Sequence, residues 1–180
     1  MSTASKTAIG GMATALSVVS LIPTALEIFV YALPAFAGMI TLFCVIELNK
    51  KWAFGVFAAA SLLSVILVPN KEAAVLYIAF FGYYPIIKSI LEKLRVRIAE
   101  YLLKLLIFNT SVVLSYILLV FVFNISVESL FGENLTVIMY IGFAALMNVM
   151  FIVYDFCLTR MYTVYITVWQ RKFHKLFRFK

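Results

Sequence analysis

The residues of this chain that could do chemistry are few, and most are acids, tyrosines and lysines set among apolar runs. The one histidine, His174, sits beside Lys172 and Lys175. Those neighbours suit a solvated or headgroup-facing ring and leave it no buried nucleophile to serve. There is no HExxH, no GxSxG and no glycine-rich phosphate loop, so zinc hydrolysis, serine hydrolysis and nucleotide binding lack the residues their geometry needs. Cys44 and Cys157 lie in different apolar runs without CxxC or Cys/His spacing. Each reads as a small apolar side chain facing lipid or a neighbouring helix. The expectation is a protein with no catalytic residues, no metal and no cofactor.

Ionisable groups at membrane depth are expensive and therefore informative. Glu27 lies near the outer end of the first span, and Lys71 and Glu72 form the next turn on the same side. These three either pair with one another or line an outward-facing pocket. Asp155 lies within reach of Arg160 or of Lys104 on the preceding span, which predicts a structural ion pair between two helices. Glu47 is expected to pair with Lys50 or Lys51. Asn109 and Asn148 lie inside spans, where an amide seeks a partner across the helix interface. Tyr77, Tyr116 and Tyr140 fall in the outer halves of three spans. An interfacial aromatic belt and the wall of a small-molecule pocket both account for them.

The elements that position these residues follow from composition. Hydrophobic residues make up 65% of 180 positions and charged residues 13%, whereas soluble domains are about half apolar and a quarter charged. One soluble core of this size cannot hide the excess. A helix needs about 20 residues to cross the hydrocarbon, so the length accommodates about six spans. The prolines, charges and turn residues place them at about 8–30, 34–48, 52–68, 73–87, 101–123 and 135–160. Residues 88–100 read as an amphipathic interfacial helix, and 124–134 as an acidic turn. The fold class is all-α: a single transmembrane domain over 1–168, with a basic tail at 169–180. Residues 1–20 do not read as a signal peptide, because only Lys6 precedes an apolar stretch that runs far beyond a signal core.

The net charge of +7 does not point to nucleic acid, because the charges fall between and after the apolar runs. With the N-terminus inside, 12 basic residues fall on the cytoplasmic side and only Lys71 outside. That asymmetry requires an even number of spans, and it places both termini in the cytoplasm. The tail, with Trp169, Arg171, Lys172 and Lys175, would lie on an anionic inner leaflet, each basic residue contributing about 1 kcal/mol.

Small residues crowd the first span: Ala4, Ala8, Gly10, Gly11, Ala13, Thr14, Ala15 and Ser17. Gly11-x-x-x-Ala15 and Ala4-x-x-x-Ala8 let another helix approach closely. That partner is either a helix of the same bundle or another membrane subunit.

The run Thr7-Ala-Ile-Gly-Gly-Met-Ala-Thr-Ala-Leu-Ser-Val-Val resembles the first helix of the substrate-binding S components of energy-coupling-factor transporters. The resemblance implies six helices, cytoplasmic termini and a bacterial cell-membrane location. It also implies a vitamin-type ligand, or in some members a metal ion, held at the outer side, with Gly11 and Ala15 contacting a transmembrane coupling subunit that works with ATPase subunits. It would place Glu27, Lys71, Glu72, Tyr77, Tyr116 and Tyr140 near the ligand. The chain departs from the glycine-rich pattern of many S components at 37–42 and 52–57. Its 68–74 and 80–88 stretches also resemble uncharacterised membrane proteins of clostridium-like Gram-positive bacteria, a likeness that implies no activity. A non-transport membrane scaffold using the basic tail is the rival expectation, and an enzyme acting on lipid a third.

Overall fold

Polar side chains answer free N–H groups at three of the helix starts. The computed structural model describes residues 2–27, 29–94, 96–124 and 137–170. Ser2 caps α1 (Thr3–Leu21) by accepting from the Ser5 N–H at 3.2 Å. A 3-10 turn, Ile22–Leu26, follows, with Pro23, which has no N–H to lose, at its second position. In α2 (Ala32–Glu47), Pro34 occupies the first turn, where the missing donor is again harmless. Asn49 caps α3 (Lys50–Leu67), accepting from Lys51 and Trp52. Asn70 caps α4 (Lys71–Leu91), accepting from Ala73 at 3.0 Å.

Helix α4 is not uniform. Lys71–Leu76 is α-helical, Tyr77–Phe81 forms a π-helical turn, and Tyr84–Leu91 resumes the α-helix. Pro85 lies at the start of the second part and cannot donate to the Phe81 carbonyl four residues earlier. A widened turn next to a proline is a common way for a helix to absorb that loss. Helices α5 (Arg97–Ile117) and α6 (Val137–Val164) each continue into a π-helical turn, Leu118–Val122 and Tyr165–Trp169.

The described residues are helical, with no strand, and five helical segments are long and apolar enough to cross a membrane. The sixth, Ala32–Glu47, is shorter. A helical segment overlaps each expected span; the first begins earlier than expected, at Thr3, and the last runs on to Trp169, past the expected end at 160. The interfacial helix expected at 88–100 does not form as a separate element. Lys88–Leu91 completes α4, and Arg97–Glu100 opens α5. Lys88 therefore sits at the end of a long apolar helix. Most of the 124–134 turn and the tail from 171 on lie outside the described residues.

Three apolar clusters hold the helices together. Ile9 and Ala13 of α1 pack with Ile40 and Cys44 of α2, Ala53 and Val56 of α3, and Ile86 of α4. Val18, Leu21, Ala37, Ala60, Ala74 and Tyr77 extend that packing along the same four helices. The third cluster is aromatic. Phe80 and Tyr84 of α4, Phe108 of α5, and Phe151 and Tyr154 of α6 surround Leu42 and Leu158. Phe108 stacks on Phe151 with ring centroids 4.7 Å apart. Alanines at the α1–α4 contacts let backbones approach closely, which is how helices gain dispersion energy where lipid removes the hydrophobic drive. The outward surface is apolar as well: Leu62, Ile66, Leu102, Phe121, Ile138 and Met150 are all exposed. A surface of that kind is suited to lipid and would be an aggregation hazard in water.

Candidate functional site

The end of the bundle carrying Glu72 gathers four elements through polar contacts. Glu72, in the first turn of α4, accepts a hydrogen bond at 2.9 Å from the hydroxyl of Tyr31, which precedes α2. Burial, together with the negative charge of Glu72, pushes the Tyr31 hydroxyl up to about 12. The Asn70 amide donates to the Thr24 carbonyl at 3.3 Å, tying the start of α4 to the turn after α1. Lys71 does not pair with Glu27 or Glu72. It donates to the carbonyls of Val65 and Val68, 2.8 and 2.9 Å away, and so answers the open C-terminal end of α3. Glu27 is exposed and takes a left-handed conformation, with φ 56°, after the 3-10 turn.

The three tyrosines expected on the outer side separate. Tyr77 is fully buried in the π-helical turn of α4 and belongs to the core rather than to an interfacial belt. Tyr116 and Tyr140 are exposed on α5 and α6. Two open hollows lie elsewhere. One is apolar and lined by Met139, Gly142, Phe143 and Leu146; the other lies between α4 and α5, lined by Tyr83, Ile87, Leu106, Thr110, Ser111 and Leu114. Neither contains Glu27, Lys71, Glu72, Tyr77, Tyr116 or Tyr140. The polar residues at this end therefore close helix termini and join turns.

At the other end of α4 lies a buried charge network that sequence reasoning reached only in part. Asp155 of α6 meets Lys104 of α5 with Nζ 3.3 Å from Oδ2, which matches one of the two expected pairings. The second cation is Lys88 of α4, bonded to the Asp155 carboxylate and 3.1 Å from its backbone carbonyl. Arg160, the other expected partner, instead stacks over the Phe156 ring at 4.8 Å. Tyr84 donates to the same carboxylate at 2.5 Å. Glu92 lies 3.0 Å from Lys88, and Glu100 lies 2.7 Å from Lys104. Both lysine side chains are only 3% exposed. Two cations thus face three carboxylates across α4, α5 and α6. Full pairing with a neutral donor is the condition under which such charges can be held at depth.

Two further polar contacts tie helices together. Asn109 donates to Asn148 at 3.0 Å, and Asn148 donates back at 3.3 Å, the partnership across α5 and α6 expected for amides within spans. Tyr165 donates to Glu47 at 2.9 Å, and Lys50 donates to the Ser89 carbonyl at 3.1 Å.

Helix α1 has two faces. Gly10, Ala13, Thr14 and Ser17 are buried against the bundle. Ala4, Ala8, Gly11 and Ala15 are exposed. A Cβ built on Gly11 meets nothing within 4 Å, whereas one built on Gly10 touches Val56 at 3.4 Å. Among the described residues, nothing packs on the Gly11/Ala15 pair.

Among the described residues, no group of three or more His, Cys, Asp or Glu is placed to hold a metal ion. In comparisons with known proteins, no family model, no curated protein and no solved structure matches the chain.

Proposed function

We propose that this chain is the membrane-embedded component of a small-molecule uptake system. In this reading it crosses a bacterial cell membrane six times, with both termini in the cytoplasm. It takes a vitamin-type substrate from the outer side and draws energy from partner subunits. The observation that carries the reading is the exposed Gly11/Ala15 face of α1, open at Gly11 to the approach of another backbone. Small residues exposed to lipid gain nothing from it, whereas a second transmembrane helix can pack on them closely. The chain has no nucleotide-binding motif of its own, so the energy must come from elsewhere.

The distribution of basic residues supports the orientation, with Lys71 alone on the outer side. Lys88 and Lys104 then lie toward the cytoplasmic end, where their network fixes α5 and α6 to α4. The Tyr31–Glu72 and Asn70–Thr24 bonds hold the outer end closed, and substrate entry requires them to part. Gly11 and Ala15 replaced together by Leu would block the close approach. The reading predicts that the variant keeps its fold and loses co-purifying subunits. A variant that retains them would remove the docking role.

A further inference from the structure

Four hydroxyl groups converge at the centre of the bundle, and none has a hydrogen-bond partner among the described residues: Ser17 of α1, Thr41 of α2, Tyr77 of α4 and Tyr154 of α6. Ser17, Thr41 and Tyr77 are 0% exposed, and Tyr154 is 8% exposed. The Tyr77 hydroxyl faces those of Thr41 and Ser17 without closing a bond of normal geometry to either. The Tyr154 hydroxyl reaches α2 one turn before Thr41, where a Cβ on Gly38 would lie 2.5 Å from its oxygen. The Phe81 carbonyl, deprived of its usual donor by Pro85, faces the same point of α2, in the space that a Cβ on Gly38 would take.

Buried hydroxyls are nearly always bonded, and an unanswered cluster marks a bound water or ion. In lipid, bulk solvent cannot answer them. The chemistry selects the guest. It must both donate and accept, because each hydroxyl does both. It needs no charge compensation, because no carboxylate belongs to the cluster and Asp155 is already committed to Lys88, Lys104 and Tyr84. Water, with two donors and two acceptors, is the smallest molecule that meets these terms, and buried waters commonly make about three such bonds.

We propose that Ser17, Thr41, Tyr77 and Tyr154 form an internal water site that joins α1, α2, α4 and α6 beside the π-helical turn of α4. The site stands independently of the uptake reading. It makes the centre of the bundle a wet polar joint, with Tyr77 at the first position of the π-helical turn.

A high-resolution map of the wild-type protein in detergent or nanodiscs tests it directly. A density peak within hydrogen-bonding distance of at least three of the four hydroxyls is expected, and a dry centre would overturn the proposal. Thr41→Val and Tyr77→Phe give an independent reading, since each removes a hydroxyl with little change of volume. A shared water predicts that each lowers the melting temperature, and that the double variant loses less than the two shifts added. Variants as stable as wild type, or more stable, mean that the hydroxyls were dry and unanswered, and the proposal fails. Melting in sodium, potassium and choline chloride at equal ionic strength separates the ionic alternative. Equal values support water, whereas a rise specific to one metal cation would replace water with that ion.

Discussion

Lys104 on α5 and Asp155 on α6 meet with Nζ 3.3 Å from Oδ2, and the same carboxylate also binds Lys88 on α4. One acidic side chain thereby joins three helices. Removing one partner from a buried ion pair costs about 3–5 kcal/mol, because the remaining charge is stranded. Asp155→Asn is therefore expected to be the most damaging single change at this end, measured as loss of melting temperature in detergent. Lys104→Met should be milder, since Lys88 still answers Asp155. Crossing the two variants in a double-mutant cycle should reveal a coupling of about 1–3 kcal/mol. Simple additivity would mean that the contact carries no energy.

The Asn109–Asn148 pair gives a second cycle. Each amide also donates to a carbonyl on its own helix, Leu105 or Ala144, so losing the partner leaves no group wholly unanswered. Asn109→Leu should cost about 1 kcal/mol, in line with interhelical hydrogen bonds in membranes. Asn109→Leu combined with Asn148→Leu should recover part of it. The readout is again thermal stability.

Two glycines predict opposite outcomes for one substitution. A Cβ on Gly38 would lie 2.4 Å from the Phe81 carbonyl oxygen and 2.5 Å from the Tyr154 hydroxyl, so α2 and α4 must separate to admit it. Gly38→Ala should destabilise the protein by about 1–3 kcal/mol, the usual cost of overpacking. Gly11→Ala meets nothing and should be neutral or stabilising by up to about 1 kcal/mol through helix propensity. Equal effects at the two sites would contradict the packing described here.

The cap of α3 offers a further check. Asn49 holds φ at 120° while its side chain accepts from two backbone N–H groups. Asn49→Ala loses both acceptor bonds and keeps the backbone strain, so it should cost about 1–2 kcal/mol. Asn49→Gly should be milder, because glycine relieves the strain. The order of the two melting temperatures decides the point.

The helices were legible because apolar run length and punctuation report on helix ends: Pro34, Pro69 and the lysine pair at 50–51 mark boundaries that the structure keeps, whereas Pro23, expected inside the first span, falls in the turn that ends α1. The Asp155–Lys104 pair was legible for a related reason, since a charge at depth must find an opposite charge on a neighbouring helix. The partners of Lys71 were not legible, because they are the backbone carbonyls at the end of α3, which have no side-chain signature. Lys88 was counted with the exposed basic residues that follow it, because composition does not show where α4 ends. Tyr77 read as a belt residue from its distance along the span. It is instead buried against Val18, Leu21, Ala37 and Ala60 of three neighbouring helices, and position along a span does not say which way a side chain faces.

The exposed Gly11/Ala15 face remains the feature on which the functional reading depends. Native mass spectrometry of the wild-type protein, extracted gently from its own membrane, tests it most directly. The account predicts an assembly containing this chain, a second transmembrane subunit and ATPase subunits. Recovery of this chain only by itself or as a homo-oligomer, across several mild extractions, would contradict it.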